Sequence, residues 1–282
     1  GINFTGSVPT FRHLFKQVGQ NIDIYKTFPR LIGECGGKNY HFVDVTADPD
    51  RVAVATIRSA FEYSGQKCSA CSRIYVPESL WPTIKEKLLK IRSTLRLGSP
   101  LAKDSFLSAV IDAKAFNRIK GYIEHAKSSP NLEVLGGGKC DDSTGYFIEP
   151  TIIESKDPQD KILQEEIFGP VLSVYVYKDS QKMETLKLAK TTSPFGLTGA
   201  IFTEDDQFCE EALDYLKESA GNFYINNPST GSVVGQQPFG GARLSGTNDK
   251  AGGPHYMLKF ASPQAIKHQH VPILEWIQPH MK

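Results

Sequence analysis

Helix-period and strand-like segments alternate along this chain, and that alternation restricts its architecture most. Asp48-Pro49 opens a segment in which Val52, Ala53, Thr56, Ile57, Ala60 and Phe61 recur at helical spacing, with Gly65 as its stop. A short strand, Arg73-Ile-Tyr-Val76, follows. Earlier, Pro9 opens a helix with the apolar face Phe11, Leu14, Phe15 and Val18, and Arg30-Leu-Ile reads as a buried strand ending at Glu34. Further on, Leu80–Leu95, Ala113–Lys127, Thr185–Lys190 and Cys209–Lys217 read as helices, and Val171–Tyr177 and Asn222–Asn226 as strands. Such a succession predicts an α/β fold. Residues 228–254 are dense in Gly, Ser and Pro and predict structured loops.

Composition narrows the function. With 282 residues, 40% of them hydrophobic, the chain can bury a sizeable core. A formal net charge of +1 carries no basic signature for nucleic acid. No apolar run approaches the length of a membrane span. The first residues lack the charged and apolar regions of a secretory signal and the Arg-rich start of a transit peptide. The five cysteines, at 35, 68, 71, 140 and 209, are odd in number and do not suggest a disulfide framework. Cys68-Ser-Ala-Cys71 lacks the second Cys pair or spaced His pair of a zinc site, so no metal is expected. It also lacks the setting of a thioredoxin-like pair. The tail His268–Lys282 mixes Val271, Ile273, Leu274, Trp276 and Ile277 with prolines and is expected to pack on another surface, such as a second subunit.

Two glycine-flanked segments carry the chemistry: Leu31-Ile-Gly-Glu-Cys-Gly-Gly-Lys38 and Ser64-Gly-Gln-Lys-Cys-Ser-Ala-Cys-Ser-Arg73. Cys68 falls in a turn before a strand, where a nucleophile is both held and reachable. A thiol can attack a carbonyl and hold the product as a thioester, and a carboxylate such as Glu34 can activate the water that releases it. Partial burial would raise the pKa of Glu34, whereas Cys68 would need a lowered pKa from backbone dipoles or cations. Cys71 reads as structural. The pair alone also suits a non-redox thiol esterase or acyl transferase, and a silent assembly module remains a further alternative.

Phe4-Thr-Gly-Ser7, the Glu34 segment, the Cys68 segment, Glu165-Glu-Ile-Phe-Gly-Pro170 and Pro238-Phe-Gly-Gly241 occur in one order, with Glu34 and Cys68 separated by 34 positions. Together, from residue 4 to about residue 260, they resemble the NAD(P)-dependent aldehyde dehydrogenase superfamily. Glu34–Phe42, Lys67–Ser72 and Asn226–Phe239 look like its branch that oxidises L-glutamate γ-semialdehyde to L-glutamate in proline catabolism. Cys35 stands where Leu is the commoner family residue, and should affect packing more than chemistry.

The resemblance implies Cys68 as nucleophile and Glu34 as base. It implies NAD as cofactor, with its pyrophosphate along Gly6, Ser7, Val8, Pro9 and Thr10 and its nicotinamide ribose near Glu166 and Phe168. There is no GxGxxG, so the usual Rossmann fingerprint is not the basis of that site. Ser69, Gly231 and Ser232 would hold the amino-acid end of the substrate, with Phe239 flanking its stem. An aldehyde of another kind is the main alternative substrate. Expected boundaries are 1–34 for the end of a dinucleotide-binding domain, 35–238 for a catalytic domain, and 239–282 for a segment returning to the cofactor domain and contacting another subunit. Family members carry a longer N-terminal part, with an oxyanion-hole Asn and a ribose-contacting Lys that cannot be placed here. The isolated stretch is therefore expected to bind NAD poorly and to be inactive. A homodimer or higher assembly in the mitochondrial matrix is implied in the same way.

Overall fold

The computed structural model describes residues 1–282. Its first unit is a strand–helix–strand: β1 (Ile2–Thr5), α1 (Val8–Gln20) and β2 (Leu31–Glu34), with the two strands parallel and Thr5 opposite Glu34. Ser7 caps α1, its hydroxyl accepting from the Thr10 N–H, and Pro9 sits in the first turn where no N–H is needed. Of the predicted apolar face only Phe11 is buried. It stacks on Phe4 and lies over Gly33, where a Cβ would collide with its ring.

The larger unit begins with β3 (Asn39–Val43), α2 (Pro49–Phe61), β4 (Cys71–Pro77) and α3 (Trp81–Thr94). It continues through α4 (Ala113–Ser128), β5 (Leu132–Gly136), the small hairpin β6 (Cys140–Asp141) and β7 (Phe147–Ile148), and β8 (Thr151–Ser155). After α5 (Lys161–Gln164) come β9 (Val171–Tyr177), α6 (Lys182–Thr191), β10 (Phe195–Gly196) and β11 (Thr198–Phe202). The last elements are α7 (Asp206–Leu216), β12 (Asn222–Ile225) and β13 (Ala242–Arg243), which pairs antiparallel with β10. Seven strands form one sheet in the order β12-β11-β3-β4-β9-β8-β5, parallel throughout except for the β5–β8 edge.

A parallel sheet needs both faces covered, and this one has them. Alternation along β3 and β4 sends Val43, Ile74 and Val76 toward α2 and α3, where they meet Val52, Ile57, Phe61, Ile84 and Leu88. Tyr40, Phe42, Tyr75 and Tyr177 face the other way, against α6 and α7. A third cluster packs α4 over β5, β8 and β9. Asp48, Asp112 and Asp205 cap α2, α4 and α7 through hydrogen bonds to first-turn N–H groups.

Arg73 is buried within the sheet, with each of its three side-chain nitrogens bonded. It donates to the Lys38 carbonyl, the Tyr75 hydroxyl and the Ala189 carbonyl, and its guanidinium lies over the Tyr40 and Tyr75 rings. Beyond the sheet, residues 239–251 return to the end of β2. Cys35 donates to the Ser245 carbonyl at 2.7 Å, Thr247 to the Gly33 carbonyl at 2.9 Å, and Gly33 to the Thr247 hydroxyl at 3.0 Å. Residues 261–282 are exposed along their whole length, including Trp276, so their apolar side chains find no cover within the chain.

Phe42 has no exposed surface and stacks on Tyr177 with ring centroids 5.4 Å apart. Replacing it with Ala should destabilise the fold by about 3–5 kcal/mol, read as a lowered urea midpoint; a change under ~1 kcal/mol would mean this layer repacks freely.

Candidate active site

α2 ends at Phe61, earlier than the glycine stop suggested by the sequence. Tyr63, Ser64 and Gly65 then take three successive left-handed conformations, with φ of 55°, 56° and 66°. For Tyr63 and Ser64 this is strained backbone. The Ser64 hydroxyl helps hold it by donating to the Ser108 carbonyl at 2.6 Å, and a Cβ on Gly65 would strike the Gly169 carbonyl. The strained passage delivers the chain into the turn Lys67–Ala70, with Cys68 at its crest.

That turn is fastened by a neighbouring strand. The side-chain amide of Asn39, at the start of β3, donates to the Cys68 carbonyl at 2.7 Å and the Ala70 carbonyl at 2.8 Å, and its oxygen accepts from the Thr198 N–H at 2.9 Å. Gly37 lies so near the Cys68 carbonyl that a Cβ there would overlap it. The backbone between β2 and β3 is thus packed directly against the Cys68 main chain.

Two carboxylates share this region. Glu34, at the tip of β2, receives the Gly241 N–H on Oε2 at 3.3 Å, while Oε1 is buried with no partner. Burial raises its pKa to about 7, against the opposing pull of that N–H and of Lys250. Glu166 accepts the Gly37 N–H on Oε1 at 2.8 Å, and burial raises its pKa too. A Cβ on Gly36 would overlap the Glu166 carboxylate, so glycine is what lets it close on this backbone. Beneath it, the buried Lys38 ammonium has no hydrogen-bond partner, and its pKa is pushed down to about 7 by burial and by Arg73.

The Cys68 thiol does not gain the lowered pKa that its chemistry called for. Burial, Glu34 and Glu166 push it up to about 11, and the main-chain N–H groups of Ser69 and Cys68 offset this only in part. The cations near it in sequence point elsewhere: Lys67 pairs with Glu62 at 2.9 Å and Arg73 is sealed inside the sheet. Cys71 is fully buried, its thiol donating to the Arg73 carbonyl.

One cavity of about 1130 Å³ joins most of the residues singled out from sequence. Cys68 and Ser69 line it, as do Gly6 and Ser7, Glu166 and Phe168, and Gly231, Ser232 and Phe239. Glu34 stands just behind its wall, next to the lining residues Cys35 and Gly36. Val8 lines a neighbouring cavity instead, and Pro9 and Thr10 line neither. At the start of α1 the Gly6 N–H is already given to the Glu34 carbonyl and the Thr10 N–H to Ser7, which leaves the N–H groups of Ser7 and Val8 without acceptors. Phe168 takes a left-handed φ of 55° in the cavity wall.

Across the cavity, the loop after β12 is held from inside. His41 on β3 is completely buried, one ring nitrogen bonded to Thr56 at 2.9 Å and the other to Ser229 at 3.0 Å, and burial lowers its pKa to about 3. Thr230 shares a hydrogen bond with Ser69 at 2.7 Å and Ser232 one with Tyr224 at 2.9 Å. Gly231, at φ 84°, and Ser232 keep free N–H groups at the cavity. Sequence reasoning missed Asn39 and His41. Their signal was two polar residues inside an otherwise apolar strand-like run, Asn39-Tyr-His-Phe-Val43.

The sequence profile of the aldehyde dehydrogenase family matches residues 1–266. The chain is 63% identical over 284 residues to the mitochondrial delta-1-pyrroline-5-carboxylate dehydrogenase of Homo sapiens, covering 100% of this chain and 50% of that protein. With the protein of the same name from Dictyostelium discoideum it is 52% identical, covering 100% of this chain and 51% of that one. The crystal structure of the delta-pyrroline-5-carboxylate dehydrogenase from Mycobacterium tuberculosis bound with NAD superposes with a TM-score of 0.90 at 45% identity, covering 99% of this chain and 51% of the other. The chain spans about half the length of the curated relatives it matches. It belongs to the aldehyde dehydrogenase family.

Proposed function

We propose that this chain carries the catalytic centre of an NAD-dependent dehydrogenase that oxidises L-glutamate γ-semialdehyde to L-glutamate in proline catabolism. The observation that carries the reading is the convergence on one cavity of the Cys68 thiol, a loop with free N–H groups and the Glu166 carboxylate, with the buried Glu34 carboxylate directly behind the lining residues Cys35 and Gly36. The name of the relatives supports the substrate, and the NAD bound in the Mycobacterium tuberculosis structure supports the cofactor.

The residues at the cavity suit that cofactor. The unengaged N–H groups of Ser7 and Val8 at the start of α1 fit a pyrophosphate. Glu166 keeps Oε2 clear of its bond to Gly37 and can accept from ribose hydroxyls, beside the ring of Phe168. When bound, NAD supplies the hydride acceptor that turns a hemithioacetal on Cys68 into a thioester.

The chain's own residues do the rest. Gly231 and Ser232 N–H groups, with the Ser69 hydroxyl, receive the substrate's carboxylate, and Phe239 covers its aliphatic stem. Cys68 Sγ adds to the aldehyde carbon as thiolate, with the Cys68 N–H as a donor toward the oxyanion. Glu34 then takes a proton from water through Oε1, the oxygen without a partner, and that water attacks the thioester. A carboxylate with a pKa of about 7 is well matched to such a task near neutral pH.

We read residues 1–34 as the end of the NAD-binding domain, 35–238 as the catalytic domain, and 239–282 as a segment that returns to the cofactor domain and contacts another subunit. Assembly as a homodimer or larger would cover the apolar tail around Trp276. On this reading the protein works in the mitochondrial matrix, and the mitochondrial names of the relatives support that.

In the full-length protein, Cys68→Ser should abolish NADH formation from glutamate semialdehyde, and glutamate semialdehyde should outrun a simple aliphatic aldehyde in the wild type. Turnover surviving in Cys68→Ser, or ester hydrolysis with no NAD-dependent oxidation, would refute the reading. A thiol with a pKa of about 11 holds little thiolate at pH 8. Alkylation of Cys68 in the ligand-free protein, followed by peptide mass spectrometry, should therefore keep accelerating up to about pH 10; a plateau by pH 8 would contradict the electrostatics described here.

A further inference from the structure

Glu34 is steadied from a direction that residue spacing does not suggest. Lys250, at a left-handed φ of 59°, extends its ammonium into a cluster of oxygens. It donates to the Gly240 carbonyl at 3.0 Å, to Asn222 Oδ1 at 3.2 Å and to the Gly221 carbonyl. The Gly240 carbonyl belongs to the same peptide group as the Gly241 N–H, and that N–H is the donor to Glu34 Oε2 at 3.3 Å. A cation thus grips one end of a single peptide group and a carboxylate receives the other. Polarisation by the ammonium strengthens the donor facing Glu34.

The peptide is hemmed in on all sides. Gly240 donates to Asn222 Oδ1 at 3.1 Å, and Asn222 Nδ2 donates to the Pro238 carbonyl at 3.1 Å. A Cβ on Gly221 would strike the Gly240 carbonyl, and one on Gly241 would overlap the Ser245 side chain. Phe239 and Ala251 exchange backbone hydrogen bonds at 2.9 and 2.8 Å, which fixes the starting point of the Lys250 side chain. Its acidic neighbour, Asp249, is committed to Lys259 at 2.7 Å and to Thr247, so the Lys250 charge is not cancelled locally.

We propose that Lys250 is a positioning residue for the base. By holding the Gly240–Gly241 peptide it commits Glu34 Oε2 to the Gly241 N–H and leaves Oε1 for the hydrolytic water. The inference rests on reading Glu34 as that base. In the step it serves, a water proton passes to Oε1 while the water oxygen bonds to the acyl carbon. The carbon–sulfur bond breaks with its electron pair returning to Cys68 Sγ, and the product leaves as the free acid.

The charged and titratable groups around Glu34 set the sign of the test. Cys35 and Cys68 share its electrostatic surroundings, Glu166 acts on the same two thiols, and Lys250 is the cation that acts on Glu34. Burial raises the Glu34 pKa and Lys250 opposes it. Removing the ammonium must therefore move the pKa further up and protonate the base at higher pH.

The full-length protein is acylated at Cys68 with p-nitrophenyl acetate, and loss of the acetyl group is followed by mass spectrometry from pH 5.5 to 9. Wild type should show an acid limb centred near pH 7, and Glu34→Gln should be slow with no limb. Lys250→Met should move the limb upward by about half a pH unit or more, slowing deacylation roughly threefold or more at pH 6.5. Lys250→Arg should bring the limb back toward wild type. If Lys250→Met does not fold, Lys250→Gln, which keeps a donor but no charge, is read in its place. A limb lost in Glu34→Gln yet unmoved in the Lys250 variants overturns the inference alone. A wild-type limb persisting in Glu34→Gln overturns the base and the inference together.

Discussion

One buried amide joins the parts that must meet for the site to exist. Asn39 sits at the first position of β3, and its side chain reaches the Cys68 and Ala70 carbonyls on one side and the Thr198 N–H on the other. The nucleophile turn, β3 and β11 are therefore locked to a common group. An amide has two donors and an acceptor, and here all are used; a hydrocarbon of the same size would leave two carbonyls and one N–H buried without partners. The strained run Tyr63–Gly65 is tolerable because its exit is pinned in this way.

The same residue explains what the sequence hid. Elements with strong local signals were legible: Asp48-Pro49 opens α2, Val171–Tyr177 is β9, and the α/β alternation led to the observed architecture. β3, an interior strand of the sheet, was not recognised as a strand. It carries Asn39 and His41 in place of apolar residues, because its polar side chains satisfy neighbouring loops, α2 and β11 rather than water. Periodicity reads hydrophobic faces and is blind to a polar group whose partner is far away in sequence. β5, β8 and β11 escaped for a related reason: short, with glycines or mixed residues, they owe their strand character to neighbours across the sheet.

The site residues divide along the same line. Cys68 and Glu34 stand out in sequence because glycines flank them, and the structure gives the glycines a purpose. Gly36 clears space for the Glu166 carboxylate and Gly37 for the Cys68 carbonyl. Glu166 itself could have been a solvated helix end on local grounds. Its contact with the Gly37 N–H spans 129 positions and could not be read from spacing. The expectation for Glu34 followed from burial alone and agrees with its raised pKa, whereas that for Cys68 required the direction of nearby charges. Lys67 and Arg73 are adjacent in sequence but turned away, and two carboxylates are adjacent in space.

This arrangement imposes opposite demands on one desolvated pocket. Burial that makes Glu34 a better base also makes Cys68 a weaker acid, since both charged forms are anions. A uniform increase in burial could never serve both. What separates them is the placement of donors: Glu34 has the Gly241 N–H and the charge of Lys250, and Cys68 has only main-chain N–H groups. The donor to Glu34 and the nearby cation come from a loop more than 200 residues away, which also clasps β2 through Ser245 and Thr247. Tying the loop to both the strand and its terminal carboxylate gives the base a restraint besides the short Cys35–Lys38 link to the main sheet. The Cys68 turn is fixed by Asn39 and the base by residues 240–250, so the two reacting groups are held by separate restraints.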